Sequence, residues 1–337
     1  MKRICLILLS VVVMLCSCER ENEFSNMGKP IHFSATSSPV NTKTAYQGST
    51  QNGKEAILWE EGDTFRVFSD EAVVSGSSQK WADYKVSVSD GVAAAVNPLT
   101  TGTELLWNQG THHFYAVYPA GEIKGKVVQA IIPNFQEPKK ISSNVFVPDL
   151  SKNGFMAAAV DGSPDDAVVN LNFKPMFTTL EFTVSPGYDS DVHVGSFSLK
   201  VKDGSKVVLS GGFKATLSSQ ADPQIAVDYS GTSGEIKVYF GEDGVIVRNG
   251  ESLTFSVLAL PIELTDLVAV FTMDGVVREY PLVDEDGRFI KIEARQKARI
   301  TALGLLNPDK YKAVFTVSID GQDVSDFSLS ASGETEP

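Results

Sequence analysis

The chain has 337 residues, a formal net charge of −13 at pH 7 and a hydrophobic content of 42%. An acidic surface repels phosphate backbones, so the charge argues against nucleic acid as a partner. The hydrophobic content is that of an ordinary globular chain rather than a disordered one, and the length suggests two domains.

The chain opens with the pattern of an export signal. Lys2 and Arg3 precede an apolar run over residues 4–15. This run has about 12 residues, fewer than the roughly 20 that a helix needs to cross the hydrocarbon core of a membrane. The pattern therefore indicates that residues 1–17 form a signal peptide rather than a membrane anchor.

The end of this segment predicts a lipid anchor. Leu15-Cys16-Ser17-Cys18 resembles the lipobox of bacterial lipoproteins, in which a small residue precedes the cysteine that is acylated. Cys18 fits the acylated position, whereas Cys16 does not, because Leu15 stands where the small residue belongs. The resemblance implies a palmitate-type lipid on Cys18 and an attachment to the outer membrane. The alternative is an ordinary secretory signal with incidental cysteines.

The chain contains three cysteines, and all of them lie in this leader. The exported body therefore has no internal disulfide, no thiol catalysis and no thiolate metal site, and its stability must come from a hydrophobic core.

Residues 18–30 predict a flexible acylated tether, because "ERENEFSNMGKP" is polar throughout. Its alternating glutamates resemble the signal that sends lipoproteins of the Bacteroidetes to the outer face of the outer membrane. A plain solvated spacer is the alternative interpretation.

Beyond the tether the dominant pattern has period two, which is typical of half-buried strands. Asp274-Gly275, flanked by apolar runs, gives the strongest hairpin signal, because this dipeptide tolerates the positive φ of tight turns. Many short strands at this spacing predict an all-β fold of sandwiches. The alternating apolar positions are Ile31, Phe33 and Ala35; Phe65 and Val67; Phe114, Ala116 and Tyr118; Leu180, Phe182 and Val184; Phe197, Leu199 and Val201; Ile236, Val238 and Phe240; Leu253, Phe255, Val257 and Ala259; and Ala313, Phe315, Val317 and Ile319.

A domain boundary is predicted near residue 172. Residues 162–166 form a turn-rich break, and a new alternating strand begins shortly after it. We therefore expect an N-terminal domain over residues 31–172 and a C-terminal domain over residues 173–337.

Several stretches in order resemble the fimbrillin-like proteins of the Bacteroidetes. In that family a first strand is followed by a Thr-Arg/Lys-Thr element and then by a Trp-x-x-Gly-Asp turn. The matching stretches are "PIHFSAT", Thr42-Lys43-Thr44, Trp59-Glu60-Glu61-Gly62-Asp63, "HHFYAVYPA" at 112–120, "FKPMFTTLEFTV" at 173–184 and "LSGGFKATL" at 209–217.

This resemblance implies two tandem transthyretin-like β-sandwich domains and a role as a fimbrial subunit or adhesin assembled by strand exchange. It implies other fimbrial subunits as partners and a host or bacterial surface receptor as a further one. Related subunits are matured by a trypsin-like protease, so Lys43 and Thr44 are the candidate cleavage site. The family's protease often requires Arg, and Lys43 is alternatively an ordinary loop residue.

The C-terminal segment 313–329 is the candidate donor in strand exchange, because it is extended, alternating and near a chain end. The alternative is a closing hairpin of the second domain, which is also the arrangement expected in an isolated monomer. The candidate donor residues are Ala313, Phe315, Val317, Ile319, Phe327 and Leu329.

No motif predicts an enzyme, a cofactor or a metal site. Trp59 is expected to pack under the Gly62-Asp63 turn rather than to bind sugar. Trp81 and Trp107 are better candidates for an exposed platform, which leaves a monomeric lipoprotein that binds carbohydrate as the alternative function.

Two polar features are also considered as candidate metal sites. His112 and His113 are adjacent in a predicted strand and point to opposite faces, so they cannot share a metal. The stretch "VDEDGRF" at 283–289 invites calcium but lacks the ligand series of an EF-hand, and Asp286-Gly287 is explained as a hairpin turn.

Overall fold

The protein is almost entirely β-structure in the computed structural model, as the period-two pattern predicts. The described residues are 26–37, 50–51, 54–55, 59–89, 92–187, 190–284, 286–306, 312–319 and 322–330. The strands before residue 150 are β1 (Phe33–Ser37), β2 (Thr50–Gln51), β3 (Lys54–Glu55), β4 (Thr64–Phe68), β5 (Val73–Val74), β6 (Trp81–Ser89), β7 (Val92–Pro98), β8 (Leu105–Leu106), β9 (His112–Tyr118), β10 (Ile123–Lys124), β11 (Val127–Ile132), β12 (Phe135–Gln136), β13 (Lys139–Ser142) and β14 (Val145–Val147).

A single turn of helix, α1 (Leu150–Asn153), precedes the remaining strands. These are β15 (Met156–Gly162), β16 (Val169–Pro175), β17 (Thr178–Pro186), β18 (Val192–Val201), β19 (Ser210–Thr216), β20 (Gln224–Ser233), β21 (Glu235–Val238), β22 (Val245–Val247), β23 (Leu253–Ala259), β24 (Leu267–Met273), β25 (Val276–Pro281), β26 (Lys297–Leu306), β27 (Lys312–Ile319) and β28 (Gln322–Ser330).

The first hydrophobic core lies between a seven-stranded and a four-stranded sheet. The seven strands have the order β1-β16-β15-β9-β4-β6-β7, and the four have the order β10-β11-β19-β20. Phe33, Phe65 and Phe114 of the larger sheet share this core with Val128 and Phe213 of the smaller one. The predicted inward positions of β1, β4 and β9 are thus confirmed as buried.

The second core lies between a six-stranded sheet, β12-β21-β18-β24-β25 with β22 paired to β18, and a seven-stranded sheet, β13-β14-β23-β17-β26-β27-β28. Its centre is aromatic. The ring centroid of Phe197 lies 4.6 Å from that of Phe255 and 4.8 Å from that of Phe182. Such edge and tilted contacts add to the hydrophobic gain of burial.

Two segments cross between the cores. Strands β19 and β20 follow residue 172 in the chain, yet they complete the smaller sheet of the first core. Strands β12, β13 and β14 precede residue 172, yet they pair with strands of the second core. The division at residue 172 stays a prediction, as do the number of domains and the transthyretin-like topology.

Strand β23 connects the two cores, because both of its faces are buried. Phe255 and Val257 face the second core, whereas Leu258 belongs to the first. The side chain of Gln136 fixes this strand: its Nε2 donates to the carbonyl of Leu258 at 2.6 Å and its Oε1 accepts from the Leu258 amide at 3.0 Å. A strand buried on both faces cannot be recognised by alternation alone.

The predicted hairpin at Asp274-Gly275 is confirmed. The two residues have φ of 48° and 80°, and they join β24 to β25 with Met273 opposite Val276. Positive φ at both central positions is the requirement of a tight two-residue turn. Within the described ranges, no helix has the length and apolar character to cross a membrane.

Candidate functional site

The first described strand lies at the edge of its sheet. All of β1 pairs in parallel with β16, from Phe33 opposite Val169 to Ser37 opposite Phe173. The amide of Val169 also donates to the carbonyl of His32 at 2.8 Å. The edge position means that the other backbone side of β1 is not part of this ladder.

The inward face of β1, extended by Ile31 just before it, is apolar and buried. Ile31, Phe33 and Ala35 are only 2%, 5% and 4% exposed. The Phe33 ring lies 5.0 Å from Tyr84 and 5.3 Å from Phe114, measured between centroids. Full burial of a side chain such as Phe or Ile stabilises the fold by about 1.5–3 kcal/mol, so β1 contributes strongly to the first core.

The segment before β1 is held by a different part of the chain. The Ile31 amide donates to the carbonyl of Leu105 at 2.8 Å, and the Gly28 amide donates to that of Trp107 at 2.9 Å. The Trp107 amide donates in turn to the carbonyl of Lys29 at 3.1 Å. Residues 28–37 therefore form backbone hydrogen bonds with two separate parts of the chain, residues 105–107 and β16.

The outward face of β1 makes weaker contacts. The hydroxyls of Ser34 and Thr36 lie 3.2 and 3.4 Å from the side-chain oxygen of Asn170, and these groups are exposed. Exposed hydrogen bonds of this kind exchange with water at little free-energy cost. The apolar inward face and the backbone ladder therefore dominate the attachment of β1.

The seven-stranded sheet curls so that its two edges, β1 and β7, come close together. Removing β1 from this arrangement would uncover the backbone edge of β16. It would also open an apolar groove next to Tyr84, Phe114 and Leu171, all of which are buried.

The C-terminal segment forms a hairpin at the edge of the other seven-stranded sheet. Strand β27 pairs with β26 from Ala298 opposite Ile319 to Thr301 opposite Thr316, and β28 pairs with β27. Half of the eight residues of β27 thus take part in the register with β26. This is the closing hairpin expected in a monomer.

The candidate donor residues lie in this hairpin. Val317 is buried opposite Ile300. The backbones of the other five lie in β27 or β28, while their side chains are outside the described part; they are Ala313, Phe315, Ile319, Phe327 and Leu329. The candidate lipidation and cleavage residues, Cys18, Lys43 and Thr44, lie outside the described residues.

The Trp-x-x-Gly-Asp turn is structural, as predicted. Trp59 is 4% exposed, and its ring packs edge-on against Tyr118 and Phe173 at 5.3 and 5.2 Å. Gly62 has a φ of 90°, and Asp63 accepts from the Glu60 amide at 2.8 Å. This turn starts β4.

Asp63 is also bonded to the core. Its Oδ1 accepts from the Tyr118 hydroxyl at 2.7 Å. Burial raises the pKa of the Asp63 carboxyl, while the bonds from the Glu60 amide and Tyr118 act against that rise. Burial and the neighbouring Asp63 likewise raise the pKa of Tyr118, which therefore remains a donor.

The prediction of an exposed platform is wrong for Trp107, which is 4% exposed. Its ring packs edge-on against His112 and Phe114, at 5.0 and 5.7 Å between centroids, and its backbone pairs with residues 28–29. Trp81 is half-buried on the outward face of the seven-stranded sheet, with the Arg66 guanidinium 3.6 Å above its ring. The sequence pattern does not reveal residues 105–107 as partners of residues 28–31.

The two adjacent histidines point to opposite faces, as predicted. His112 is buried, its Nε2 accepts from the Asn108 amide at 3.1 Å, and burial lowers its pKa. His113 is exposed, with its Nδ1 3.2 Å from a carboxylate oxygen of Glu71. The described part of the chain contains no group of three or more His, Cys, Asp or Glu residues that could hold a metal.

The acidic stretch near residue 284 forms a turn. The Asp284 carboxylate accepts from the backbone amides of Asp286 and Arg288 at 3.0 and 2.8 Å. Gly287 supplies a φ of 77°. The hairpin interpretation of this stretch is confirmed, and Glu285 lies outside the described residues.

Comparison with known proteins identifies the family. Residues 21–285 match the fimbrillin-like family over more than half of the chain. The chain belongs to the fimbrillin-like family. The resemblance of the sequence motifs is thereby confirmed, and family membership supports a fimbrial subunit that assembles with others at the cell surface.

Solved structures share the fold of this fimbrillin-like chain at low identity. A putative cell adhesion protein from Bacteroides uniformis is 14% identical with a TM-score of 0.53, covering 86% of this chain and 96% of that one. One from Bacteroides ovatus is 13% identical with a TM-score of 0.51, covering 89% and 97%. No curated protein matches the chain.

Proposed function

We propose that this fimbrillin-like protein is a fimbrial subunit or adhesin, exported as a lipoprotein, whose copies join by strand exchange after β1 is cut away. The observation that carries the proposal is the position of β1. It is a sheet-edge strand, its inward face is a row of buried apolar side chains, and Lys43 follows it in the chain.

Loss of β1 would create a binding site for another strand. The N–H and C=O groups of β16 that now pair with β1 would lose their partners. The space now filled by Ile31, Phe33 and Ala35 would open as an apolar groove. An unpaired edge with a groove of this kind favours addition of an extended segment with alternating apolar residues.

The C-terminal hairpin supplies such a segment. Strand β27 is eight residues long and carries the alternating series Ala313, Phe315, Val317 and Ile319. Four residue pairs join it to β26, so its release breaks a short ladder. Donation by this hairpin requires it to open and insert beside β16 of the next subunit.

Attachment to the cell requires the leader. We assign Cys18 as the lipidated residue, which makes the outer membrane the first partner of the newly exported subunit. The tether predicted over residues 18–30 is shortened by the bonds that Asn26, Gly28 and Lys29 make with the folded part, so we assign the distance from the membrane to residues 18–25. Cleavage after Lys43 would then separate the polymerising body from its lipid.

The cleavage is tested with Lys43→Gln, which removes the basic residue that a trypsin-like protease requires. We expect the variant to keep β1 and to give no heat-resistant ladders at the cell surface, because the groove stays filled. N-terminal sequencing of surface material should find Thr44 as the first residue in the wild type. Lys29→Gln is the matched control, because it also removes a basic residue, but one that precedes β1. Cleavage after Lys29 would leave β1 in place, so this variant should form ladders like the wild type.

Two results would contradict the cleavage proposal. One is wild-type surface material that never begins at Thr44, and the other is normal ladders from Lys43→Gln. An intact, acylated monomer at the surface would favour the monomeric lipoprotein that binds carbohydrate.

The lipid assignment is tested with Cys18→Ala and its control Cys16→Ala. Cys18→Ala should block acylation and signal removal, whereas Cys16→Ala should change neither, because only Cys18 follows a small residue. Metabolic labelling with palmitate measures acylation, and the mass of the mature protein measures signal removal. Acylated mature protein from Cys18→Ala would overturn the assignment.

A further inference from the structure

A cavity lies on the outward face of the six-stranded sheet, on the side away from the second core. Lys200 of β18 stands opposite Val268 of β24, which stands opposite Pro281 of β25. Residues directly opposite one another on neighbouring strands share a face. Ala269, which follows Val268, belongs to the second core instead. The three residues therefore border one outward cavity of about 470 Å³, a volume within the roughly 300–1,000 Å³ of pockets that hold small ligands.

The floor and one wall of this cavity are apolar. Val268 lies on the outward face but is only 5% exposed, so it forms the floor. Pro281, Val283 and Phe289 are half-buried and line the same space. Covering apolar surface of this kind releases water and is favourable by about 25 cal/mol for each Å². The cavity therefore favours a ligand that has an apolar body.

Two lysines at the rim of the cavity differ in their partners. The Lys200 ammonium lies 2.7 Å from the Glu279 carboxylate, so the charges of this pair balance. Lys202 forms no ion pair with a carboxylate of the described residues, and its ammonium lies 5.6 Å from the centroid of the Phe289 ring. An aromatic face attracts a cation more weakly than a carboxylate does. A positive charge that lacks an anionic partner thus stands beside the apolar wall.

Both sides of this arrangement are fixed by backbone hydrogen bonds. The Lys202 amide donates to the carbonyl of Asp266 at 2.7 Å, and the Lys202 carbonyl accepts from the Ser205 amide at 3.0 Å. Phe289 pairs with Val283 in an antiparallel bridge across the turn that joins them. A site whose walls are already ordered loses less entropy when it binds a ligand.

We propose that this cavity binds a small amphipathic carboxylate, a free acid with an apolar body and one carboxylate at its end. The body would pack on Val268, Pro281 and Phe289, and the carboxylate would accept from the Lys202 ammonium. The acidic remainder of the chain does not prevent this, because exposed charges farther away than about 8 Å are largely screened at physiological ionic strength. The proposal depends neither on cleavage nor on strand exchange, because all of these residues belong to the folded subunit.

The test is ligand-detected saturation-transfer NMR on the full mature chain, with octanoate titrated as the probe. Octylamine carries the same apolar body with the opposite charge, and acetate carries the carboxylate without the body. We expect octanoate to bind and each of the other two to bind at least about tenfold more weakly, because each lacks one of the two contacts. Octanoate that does not bind, or that binds no better than octylamine or acetate, would overturn the proposal.

Three substitutions at exposed positions locate the binding. Lys202→Gln should weaken octanoate binding about tenfold. Lys206→Gln is the matched control, because this lysine belongs to the same connection but does not line the cavity, and its loss should leave the affinity unaltered. Asp203→Asn should strengthen binding, because this carboxylate lies at the same rim and repels the ligand. Wild-type affinity in Lys202→Gln, an equal loss in Lys206→Gln, or weaker binding by Asp203→Asn would each overturn the proposal.

Discussion

The two ends of the described chain lie at the edges of two seven-stranded sheets, and they are attached very differently. All five residues of β1 pair with β16, and the preceding residues also pair with Leu105 and Trp107. Strand β27 is longer, yet only half of its residues are in register with β26. Residues 28–37 thus pair with two separate parts of the chain, whereas the last hairpin pairs with β26 alone.

This difference indicates how each end could move. Residues 31–37 bury the side chains of Ile31 and Phe33, each worth about 1.5–3 kcal/mol, so thermal fluctuation alone rarely releases this segment. A cut after Lys43 removes the chain connection that returns β1 to its place. The hairpin has no later strand of the sheet to hold it, since β28 is the edge. We therefore expect cleavage at the first end and opening at the last.

The largest effect is expected from removing the hairpin. Truncation after Pro308 deletes β27 and β28 and should abolish heat-resistant ladders, because the donor is gone. The first core should stay folded, since its buried residues end at Leu260 and the last side chain that packs against it is Ile262. The measurements are ladder formation after protease treatment and the urea unfolding of the truncated protein.

Truncation after Ser330 is the matched control, because it keeps both strands of the hairpin and should polymerise normally. Full-length ladders from the protein cut after Pro308 would reject the hairpin as the donor. Of the two proposed movements, only the release of β1 would then remain.

A smaller effect is expected from loosening β1. Phe33→Ala in the uncut protein should lower the free energy of unfolding by about 3 kcal/mol, because it leaves a cavity beside Tyr84 and Phe114. After cleavage the same variant should polymerise faster, since β1 leaves more easily. Urea denaturation and the time course of ladder formation measure the two effects.

Phe135→Ala is the matched control for that experiment. Phe135 is also on an edge strand, but it is 50% exposed, so its loss should cost less than about 1 kcal/mol. Slower polymerisation by Phe33→Ala would contradict the view that release of β1 precedes strand addition.

The strands themselves were largely predictable from the sequence. Alternation at Phe33, Phe65 and Phe114 identifies inward faces because each of these strands has one buried side. The turn at Asp274-Gly275 was predictable because its backbone conformation suits this dipeptide. Local patterns of this kind depend on neighbours in the chain.

The partners of those strands were not predictable in the same way. Leu258 packs in the first core and Val257 in the second. An alternating pattern cannot show which core a buried residue belongs to. The backbone of Trp107 pairs with residues about 80 positions away in the chain, and Lys174, Asp222 and Arg295 meet in space although they are remote in sequence. Pairing between remote segments follows from the whole set of buried faces rather than from any one stretch.

The smallest effect is expected from the outward contacts of β1. Asn170→Ala removes the acceptor that Ser34 and Thr36 share, but these bonds are exposed and 3.2–3.4 Å long. Water can replace them, so the free energy of unfolding should change by no more than about 0.5 kcal/mol. Asn97→Ala, an exposed asparagine on β7, controls for loss of this residue type from a strand. A loss above about 1.5 kcal/mol relative to that control would mean that outward polar contacts, rather than the apolar face and the backbone ladder, hold the first strand.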